Sequence, residues 1–217
     1  MLAIVDYGVS NLRSVHKAFE YVGAQAIVTG DPAVIAAADA VVFPGQGAFG
    51  DAMRHLRQHG LVQPLQDAVA SGRPFFGICL GLQLLFEESD EMGRHTGLGM
   101  LPGRVERLRT EFKIPHIGWN QIHPMRPHPL LAGVQPGAYA YFDHSYVVRP
   151  TGADDTLATT DYGEDFVCAV AHGNVMAVQF HPEKSQQVGL RIVRNFVALA
   201  GQLPGVPAAH IVESLHA

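Results

Sequence analysis

A cysteine framed by glycines is the residue best placed for chemistry in this sequence. Residues 77–81 read Gly-Ile-Cys-Leu-Gly, the thiol form of a nucleophile elbow, in which a sharp strand-to-helix turn lifts the Cys79 side chain out of a sheet. A helix that begins at Leu80 points its N-terminus at the sulfur and favours the thiolate. The pattern predicts nucleophilic attack by Cys79. Cys168, within the apolar run 166–170, is instead typical of a buried structural thiol.

A thiolate nucleophile needs a base, and the base needs a group that holds its tautomer. Residues 180–183 read Phe-His-Pro-Glu. In extended backbone, residues two apart project to the same side, so the segment predicts His181 as the base and Glu183 as its orienting carboxylate. Taken alone, the segment favours a surface pair at a strand end. Only the fold can bring this pair to Cys79, because the separation along the chain is large.

A glycine-rich segment resembles a different kind of site. Residues 45–50 read Gly-Gln-Gly-Ala-Phe-Gly, and Asp67 follows at the spacing of a dinucleotide-binding fingerprint. That interpretation is rejected because Asp67 falls inside a helical pattern, whereas the fingerprint needs its acidic residue at the tip of the next strand. The glycines still allow backbone N–H groups to approach a ligand closely. They therefore predict more than a tight turn.

The other histidines do not show the spacing of metal ligands. His55 and His59 are four residues apart on a predicted helix, but no third ligand accompanies them, and Arg54 and Arg57 lie beside them. This pattern is typical of a solvated helix face. Three further histidines lie in a proline-rich stretch without ligand spacing, namely His116, His123 and His128. The sequence thus predicts neither a metal site nor a zinc motif.

Composition restricts the class of protein. The 217 residues are 47% hydrophobic and carry a formal net charge of −5, from 15 Lys and Arg against 20 Asp and Glu. This balance argues against nucleic-acid or membrane partners bound by bulk charge. Two cysteines cannot form a disulfide framework, and the short apolar start, which ends in Asp6, is unlike a signal peptide. We expect a cytoplasmic protein with free thiols.

The first half of the chain alternates strand and helix signals. Apolar runs at 2–6, 26–29, 40–43 and 74–79 alternate with segments of helical periodicity, and a helix is expected over Leu80–Glu88. Strands that alternate with helices predict a parallel sheet covered on both faces.

After about residue 95 the rhythm changes to successive strands. They are predicted at Gly103–Leu108, Ile114–Ile122, Ala138–Val148, Thr156–Thr160, Phe166–Ala171 and Val175–Phe180, with a hairpin turn at 172–174. The predicted fold is α/β, with a mostly parallel central sheet, helices on both faces and an antiparallel β extension in the second half. Residues 1–201 are predicted to form a single domain, and residues 202–217 a C-terminal tail, disordered in part or whole.

Three separated segments carry a family resemblance. Pro-Gly-Gln-Gly at 44–47, Gly-Ile-Cys-Leu-Gly-Leu-Gln at 77–83 and Gln-Phe-His-Pro-Glu at 179–183 resemble the signatures of class I (triad) glutamine amidotransferases. Finer matches resemble the glutaminase subunits of imidazole glycerol phosphate synthases; they lie at 44–50, 84–89, 116–120, 141–146 and 181–185. One departure is Gln46, where many relatives carry Val. The backbone N–H survives this change.

The resemblance implies a role for each matching residue. Cys79 would attack the side-chain carbonyl of glutamine, His181 would take its proton, and Glu183 would orient the imidazole. The backbone N–H groups of Gly47 and Leu80 would form the oxyanion hole. Glutamine would be bound by Gln83, His144, Ser145 and Tyr146, and a partner subunit would be contacted by Asn11, Trp119, Asn120 and Lys184. The resemblance implies no cofactor and no metal.

The resemblance also implies a partner. Ammonia would pass to a (βα)8-barrel cyclase subunit in a heterodimer, which makes imidazole glycerol phosphate and an aminoimidazole carboxamide ribonucleotide in histidine biosynthesis. The alternative is the same glutaminase module in an anthranilate or aminodeoxychorismate synthase; the segments Gly-Trp-Asn at 118–120 and Pro-Glu-Lys-Ser at 182–185 argue against it. A non-catalytic subunit and a thiol peptidase or redox-sensing thiol protein are the other hypotheses.

Overall fold

The computed structural model describes residues 1–8 and 11–201. Within them the strands are β1 (Leu2–Val5), β2 (Ala26–Thr29), β3 (Ala40–Gly45), β4 (Phe75–Cys79), β5 (Phe86–Ser89), β6 (His95–Thr96), β7 (Leu101–Arg107), β8 (His116–Pro124), β9 (Ala138–His144), β10 (Tyr146–Pro150), β11 (Thr156–Asp161), β12 (Asp165–His172) and β13 (Val175–Val178). The helices are α1 (Leu12–Tyr21), α2 (Pro32–Ala37), α3 (Phe49–Gln58), α4 (Val62–Ala70), α5 (Leu80–Leu84) and α6 (Gln186–Leu199). The predicted tail, residues 202–217, lies outside the described residues.

Five strands form the parallel part of the sheet, in the order β2-β1-β3-β4-β13. Strands β1, β3, β4 and β13 are buried along their whole length, as expected for a parallel sheet covered on both faces. Side chains alternate between two cores, so that Val42 packs on the side of α1 and α6, while Val41 and Phe43 pack on the side of α2, α3 and α4. The predicted fold class is confirmed.

The second half of the chain adds the antiparallel extension. Strand β13 pairs antiparallel with β12, which continues through β10 to β7, and β11, β8 and β9 form a further antiparallel branch. The predicted hairpin at 172–174 is present, with Gly173 at φ +54°, a conformation that glycine adopts without steric cost. One strand differs from this pattern, because β5 pairs parallel with β7.

The helix after Cys79 is shorter than predicted. It ends at Leu84, and Phe86–Ser89 form strand β5 rather than a helix that reaches Glu88. Tertiary pairing overrides the helical pattern here. Phe86 is fully buried and pairs with Leu101 of β7, and the Glu87 carbonyl accepts the N–H of Gly97.

The predicted strand Ala138–Val148 is in fact two strands separated at Ser145. Strand β9 pairs with β8, whereas β10 pairs with β7 and β12. The chain therefore changes partners at Ser145, whose carbonyl accepts the N–H of Leu108 at 3.0 Å. The sequence did not reveal this break, because residues 138–148 contain no glycine or proline that would mark a turn.

Across residues 1–8 and 11–201, no helix combines the length and apolar character needed to cross a membrane.

Candidate active site

Cys79 lies at the turn between β4 and α5, in a backbone conformation that few residues adopt. Its φ is +55° and its ψ is −111°, whereas residues other than glycine strongly prefer negative φ. The flanking glycines have a packing reason. A Cβ at Gly81 would overlap the carbonyl oxygen of Phe43, and one at Gly77 would lie 2.9 Å from the Cβ of Ala177. The glycine frame thus lets the elbow pack directly against β3 and β13.

The Cys79 sulfur lies among polar groups. It donates to the Asp143 carbonyl oxygen at 3.9 Å, and the Gln179 side-chain amide donates to the sulfur at 3.8 Å. The backbone N–H of Leu80, the first residue of α5, has no acceptor within its own helix. A donor is therefore available beside the sulfur.

His181 and Glu183 form a buried pair. The Nδ1 atom of His181 lies 2.8 Å from Oε1 of Glu183, and the two side chains are 3% and 2% exposed. The expected extended backbone is wrong for this segment. Residues Pro182–Lys184 form a 3-10 turn, closed by a 3.0 Å hydrogen bond from the Lys184 N–H to the His181 carbonyl. The turn, rather than strand alternation, brings the carboxylate to the ring.

The charges around His181 stabilise its protonated form. Burial alone lowers its pKa, but the charge of Cys79, a hydrogen bond to Cys79 and the Glu183 carboxylate together raise the pKa to about 10. The imidazole therefore lies between the Cys79 sulfur and the Glu183 carboxylate. The other carboxylate oxygen of Glu183, Oε2, is buried without a hydrogen-bond partner among the described residues.

A cavity of about 390 Å³ opens above Cys79. The structure brings together here the predicted nucleophile, base, oxyanion-hole residues and glutamine-binding residues. The cavity is lined by Gln46, Gly47, Cys79, Leu80, Gln83, Glu91, Pro115, Asp143, His144, Ser145, Tyr146 and His181. Glu183 lies behind His181, at a smaller cavity that Asn11 also lines. The larger cavity is of a size suited to a small polar molecule.

Gln83 and Gln179 form a hydrogen-bonded pair beside the sulfur. The Gln83 side-chain amide donates to the Tyr146 carbonyl at 3.0 Å and to Oε1 of Gln179 at 3.1 Å. These bonds use both N–H groups of Gln83, so its Oε1 is the group left for a ligand. The sequence prediction did not assign a role to Gln179, although an amide in an otherwise apolar segment next to His181 was a usable signal.

Glu91 is a cavity residue that the sequence prediction missed. Its Oε2 accepts the Phe49 backbone N–H at 2.6 Å, which fixes the carboxylate at the cavity wall. Glu91 belongs to an acidic run, 87–91, in which spacing alone distinguishes no member. Only the turn after β5 makes Glu91 face the cavity.

The predicted partner contacts do not all lie on one surface. Trp119 is 47% exposed and packs edge-on against Tyr141 with ring centroids 6.0 Å apart, and the Lys184 ammonium lies 5.5 Å from the Tyr141 ring centroid. We call Trp119, Tyr141 and Lys184 the aromatic patch. Asn120 is different, because its side chain donates to the Asp161 carbonyl and lies 3.3 Å from His116. Its contacts lead into the protein rather than to the patch.

No group of three or more His, Cys, Asp or Glu side chains within residues 1–8 and 11–201 is arranged to hold a metal ion. His55 and His59 stack with ring centroids 6.2 Å apart on α3.

Comparison with known proteins gives consistent matches. Residues 3–200 match the family described as "Glutamine amidotransferase class-I". The chain is 56% identical to "Imidazole glycerol phosphate synthase subunit HisH" of Syntrophotalea carbinolica, over 90% of this chain and 98% of the relative. It is 50% identical to the protein of the same name from Aquifex aeolicus, over 92% and 97%.

Solved structures share the fold at low sequence identity. A "Crystal structure of glutamine amidotransferase" superposes with a TM-score of 0.73 at 23% identity, covering 92% of this chain and 98% of that one. The glutaminase domain of Trypanosoma brucei CTPS with bound acivicin gives a TM-score of 0.69 at 18% identity, covering 95% and 96%.

Proposed function

The chain belongs to the glutamine amidotransferase class-I family, and from that premise we propose that it hydrolyses glutamine to glutamate and ammonia as the glutaminase subunit of an imidazole glycerol phosphate synthase. The relatives that are about half identical over nine-tenths of the chain carry that name. The observation that carries the chemistry is the strained Cys79 in a cavity shared with His181, which is hydrogen-bonded to buried Glu183. The enzyme therefore serves histidine biosynthesis.

The first half of the reaction forms a thioester. The Cys79 thiolate attacks the side-chain carbonyl carbon of glutamine, and the carbonyl oxygen takes the negative charge. The N–H groups of Leu80 and Gly47, which both line the cavity, stabilise this oxyanion. His181, held as the imidazolium by the thiolate and Glu183, gives its proton to the amide nitrogen. The carbon–nitrogen bond then breaks, and ammonia leaves.

The second half returns the free enzyme. Neutral His181 takes a proton from water, and the resulting hydroxide attacks the thioester carbon. The bond to sulfur breaks to give the thiolate and a carboxylic acid, which loses its proton to water and leaves as glutamate. Glu183 keeps the imidazole in one tautomer throughout, since its Oε1 accepts from Nδ1 and leaves Nε2 for the proton transfers.

Glutamine binding divides between two polar groups of the cavity. The fixed Glu91 carboxylate pairs with the α-ammonium of glutamine, and the free Oε1 of Gln83 accepts a second hydrogen bond from the substrate. The wall that contains Ser145 and Tyr146 supplies further polar groups, because the chain leaves regular strand geometry at Ser145, between β9 and β10.

Ammonia must reach the acceptor before it takes up a proton, and a cyclase subunit docked against this chain provides a route. We assign that contact to the aromatic patch together with Asn11, which lines the small cavity next to Glu183. The partner is a (βα)8 barrel in a heterodimer, and the completed synthase has hydrolase and lyase activity. Residues 1–201 act as one domain. A cytoplasmic location suits a nucleophile that must stay a free thiol.

The test measures glutamate released from glutamine by this chain, alone and with a purified cyclase subunit and its nucleotide substrate. We expect slow release alone and fast release in the complex. Equal rates would contradict the coupling, and stimulation by the large subunit of an anthranilate or aminodeoxychorismate synthase instead would favour that alternative.

A further inference from the structure

A pair of buried histidines outside the triad joins β8 to the cavity. His116 and His144 lie directly opposite each other in the β8–β9 pairing, and Nδ1 of His116 is 3.0 Å from Nε2 of His144. The two residues are 2% and 6% exposed. Burial lowers the pKa of His116 to about 4 and, together with the charge of His116, that of His144 to about 3. Each ring therefore carries a single N–H at neutral pH.

The neighbours of this pair determine which nitrogen carries each hydrogen. Nδ1 of His144 lies 3.0 Å from the Tyr146 carbonyl oxygen, which can only accept, so His144 is protonated at Nδ1. Its Nε2 must then accept, and His116 must donate from Nδ1. That leaves Nε2 of His116 as an acceptor, which faces the side-chain amide nitrogen of Asn120 at 3.3 Å. Every hydrogen bond in the series points in one direction.

The orientation of the Asn120 amide agrees with this assignment. Its Oδ1 accepts the N–H of Gln121 at 2.8 Å, and its Nδ2 donates to the Asp161 carbonyl at 2.7 Å. The Gln121 N–H can only donate and the Asp161 carbonyl can only accept, so the Asn120 amide cannot be flipped. The second hydrogen on Nδ2 is the one directed at His116.

Packing holds the central ring of the series. The His116 ring is stacked between Phe142, at a centroid distance of 4.9 Å, and Tyr162, at 4.0 Å. Rotation of the ring out of its plane would break both stacks, and a 180° flip would leave its buried nitrogens without partners.

The series ends at the wall of the cavity. The Tyr146 carbonyl accepts both His144 and the side chain of Gln83, whose other hydrogen bond leads to Gln179 beside the sulfur. Asp143, His144, Ser145 and Tyr146 all line the cavity. The wall lies at the junction of β9 and β10, where strand geometry is interrupted at Ser145, and the hydrogen bonds of the histidines and Gln83 add to the backbone bonds that hold it in place.

We infer that Asn120, His116 and His144 form a directional hydrogen-bond relay that positions the 143–146 wall. Asn120 and His116 are then positioning residues for the substrate, and Asn120 is not a partner contact. The effect on glutamine rests on the proposed function, whereas the direction of the relay does not. Removal of one N–H from the relay loosens the wall without removing a group that touches substrate.

The first test observes the hydrogens directly. In the isolated chain labelled with 15N-histidine, NMR is expected to show His116 and His144 protonated at Nδ1 only, with Nε2 unprotonated in both. The variant Asn120→Asp offers only acceptors, so it should place a hydrogen on Nε2 of His116. A hydrogen on Nε2 of either residue in the parent chain would overturn the relay, and an unchanged His116 in the variant would remove Asn120 from it.

The second test compares two variants that both lose the stacked ring. Asn in His116→Asn retains an N–H near the position of Nδ1, whereas Leu in His116→Leu does not. In the complex with the cyclase, KM for glutamine should rise about tenfold more in His116→Leu than in His116→Asn, the factor expected for one buried hydrogen bond, with kcat of the two variants within about twofold. Equal KM values would show that His116 acts only through packing.

The two proposals fail separately. A parent complex that releases no glutamate from glutamine contradicts the proposed function, and the NMR measurement on the isolated chain still tests the relay. Gln121→Ala is the control on the same strand, since its side chain contacts the Gly137 carbonyl and not the histidines. A change of the His116 tautomer in this control would also contradict the role of Asn120.

Discussion

Nδ1 of His181 lies 2.8 Å from Oε1 of Glu183, and this pair is closed off from solvent. Without a second partner among the described residues, the Glu183 carboxylate directs its charge to the imidazole. This relationship makes the protonation of His181 depend on its two neighbours, and it leads to the first two predictions.

Removal of either neighbour should lower the pKa of His181. Burial lowers this pKa. Cys79 and Glu183 each contribute a charge and a hydrogen bond that raise it, and the result is a pKa of about 10. An NMR pH titration of His181 should show the imidazolium lost at lower pH in Cys79→Ala and in Glu183→Gln than in the parent. Because the pKa is raised in the folded state, the His181 contribution to stability is fully present below about pH 6.5 and is lost as the pH rises through about 10. Titration at the same pH in parent and variants would contradict the prediction.

Glu183→Gln should also slow glutamine hydrolysis at least a hundredfold in kcat, since an amide can donate to Nδ1 and select the wrong tautomer. Steady-state rates across pH measure this effect in the cyclase complex. Glu20→Gln, at an exposed position of α1, is the matched control and should keep the parent rate. Loss of activity in both variants would assign the effect to a general change.

Cys79→Ala should abolish glutamine-dependent synthesis by the complex while ammonia-dependent synthesis by the cyclase continues. The sulfur is the only proposed nucleophile, and added ammonia bypasses it. Cys168→Ala is the control, because Cys168 is fully buried and burial raises the pKa of its thiol, so it should keep glutamine-dependent activity. A Cys79→Ala variant that still used glutamine would show that the nucleophile is misassigned.

Glu91→Gln should raise KM for glutamine about 10- to 100-fold with a smaller change in kcat, because it removes a charge-assisted bond to the α-ammonium. The amide oxygen can still accept the Phe49 N–H, so the local backbone is preserved. Glu88→Gln, whose parent side chain pairs with Arg94 at the surface, should leave KM unchanged. Equal KM values in the two variants would show that the α-ammonium of glutamine does not bind to Glu91.

Gly81→Ala should lower the free energy of unfolding by about 3 kcal/mol, as its Cβ would overlap the Phe43 carbonyl and neither backbone can give way easily. Denaturant unfolding measures the change. Gly152→Ala is the control, since its Cβ would meet its nearest neighbour at an ordinary 3.6 Å. A Gly81→Ala protein as stable as this control would show that the elbow does not need the close approach.

Trp119→Ala should weaken binding of the cyclase by about 2 kcal/mol, about 30-fold in Kd, if the aromatic patch is the contact surface. Calorimetric titration of the two subunits measures this. Met125→Ala, which removes an exposed apolar side chain just beyond the C-terminal end of β8, should bind as the parent does. If Trp119→Ala bound the cyclase with unchanged affinity, the partner surface would lie outside the aromatic patch.

Local sequence signals predicted the elbow and the alternation of strands and helices, because both follow from residue type and short spacing. They failed where distant pairing decides. Phe86–Ser89 became a strand through contact with β7, and the turn at Ser145 arose because β9 and β10 have different neighbours. Glu91 and Gln179 were assigned no role, since the place of Glu91 at the cavity and of Gln179 beside the sulfur depends on segments far away in the chain.

The prediction for Asn120 as a partner contact also depends on information that the sequence does not hold. Asn120 was predicted to contact a partner because it shares a family motif with Trp119. Neighbouring residues on a strand, however, face opposite sides. Side-chain direction could be read only after β8 was placed between β9 and β11.

The positive φ of Cys79 supports catalysis at a cost to the stability of the fold. A residue with a Cβ held there costs about 1–3 kcal/mol, whereas glycine would occupy the same conformation freely. Glycine at position 79 would therefore give a more stable fold, and a screen for thermal stability alone would select against the cysteine. Only selection on turnover keeps a cysteine at that corner.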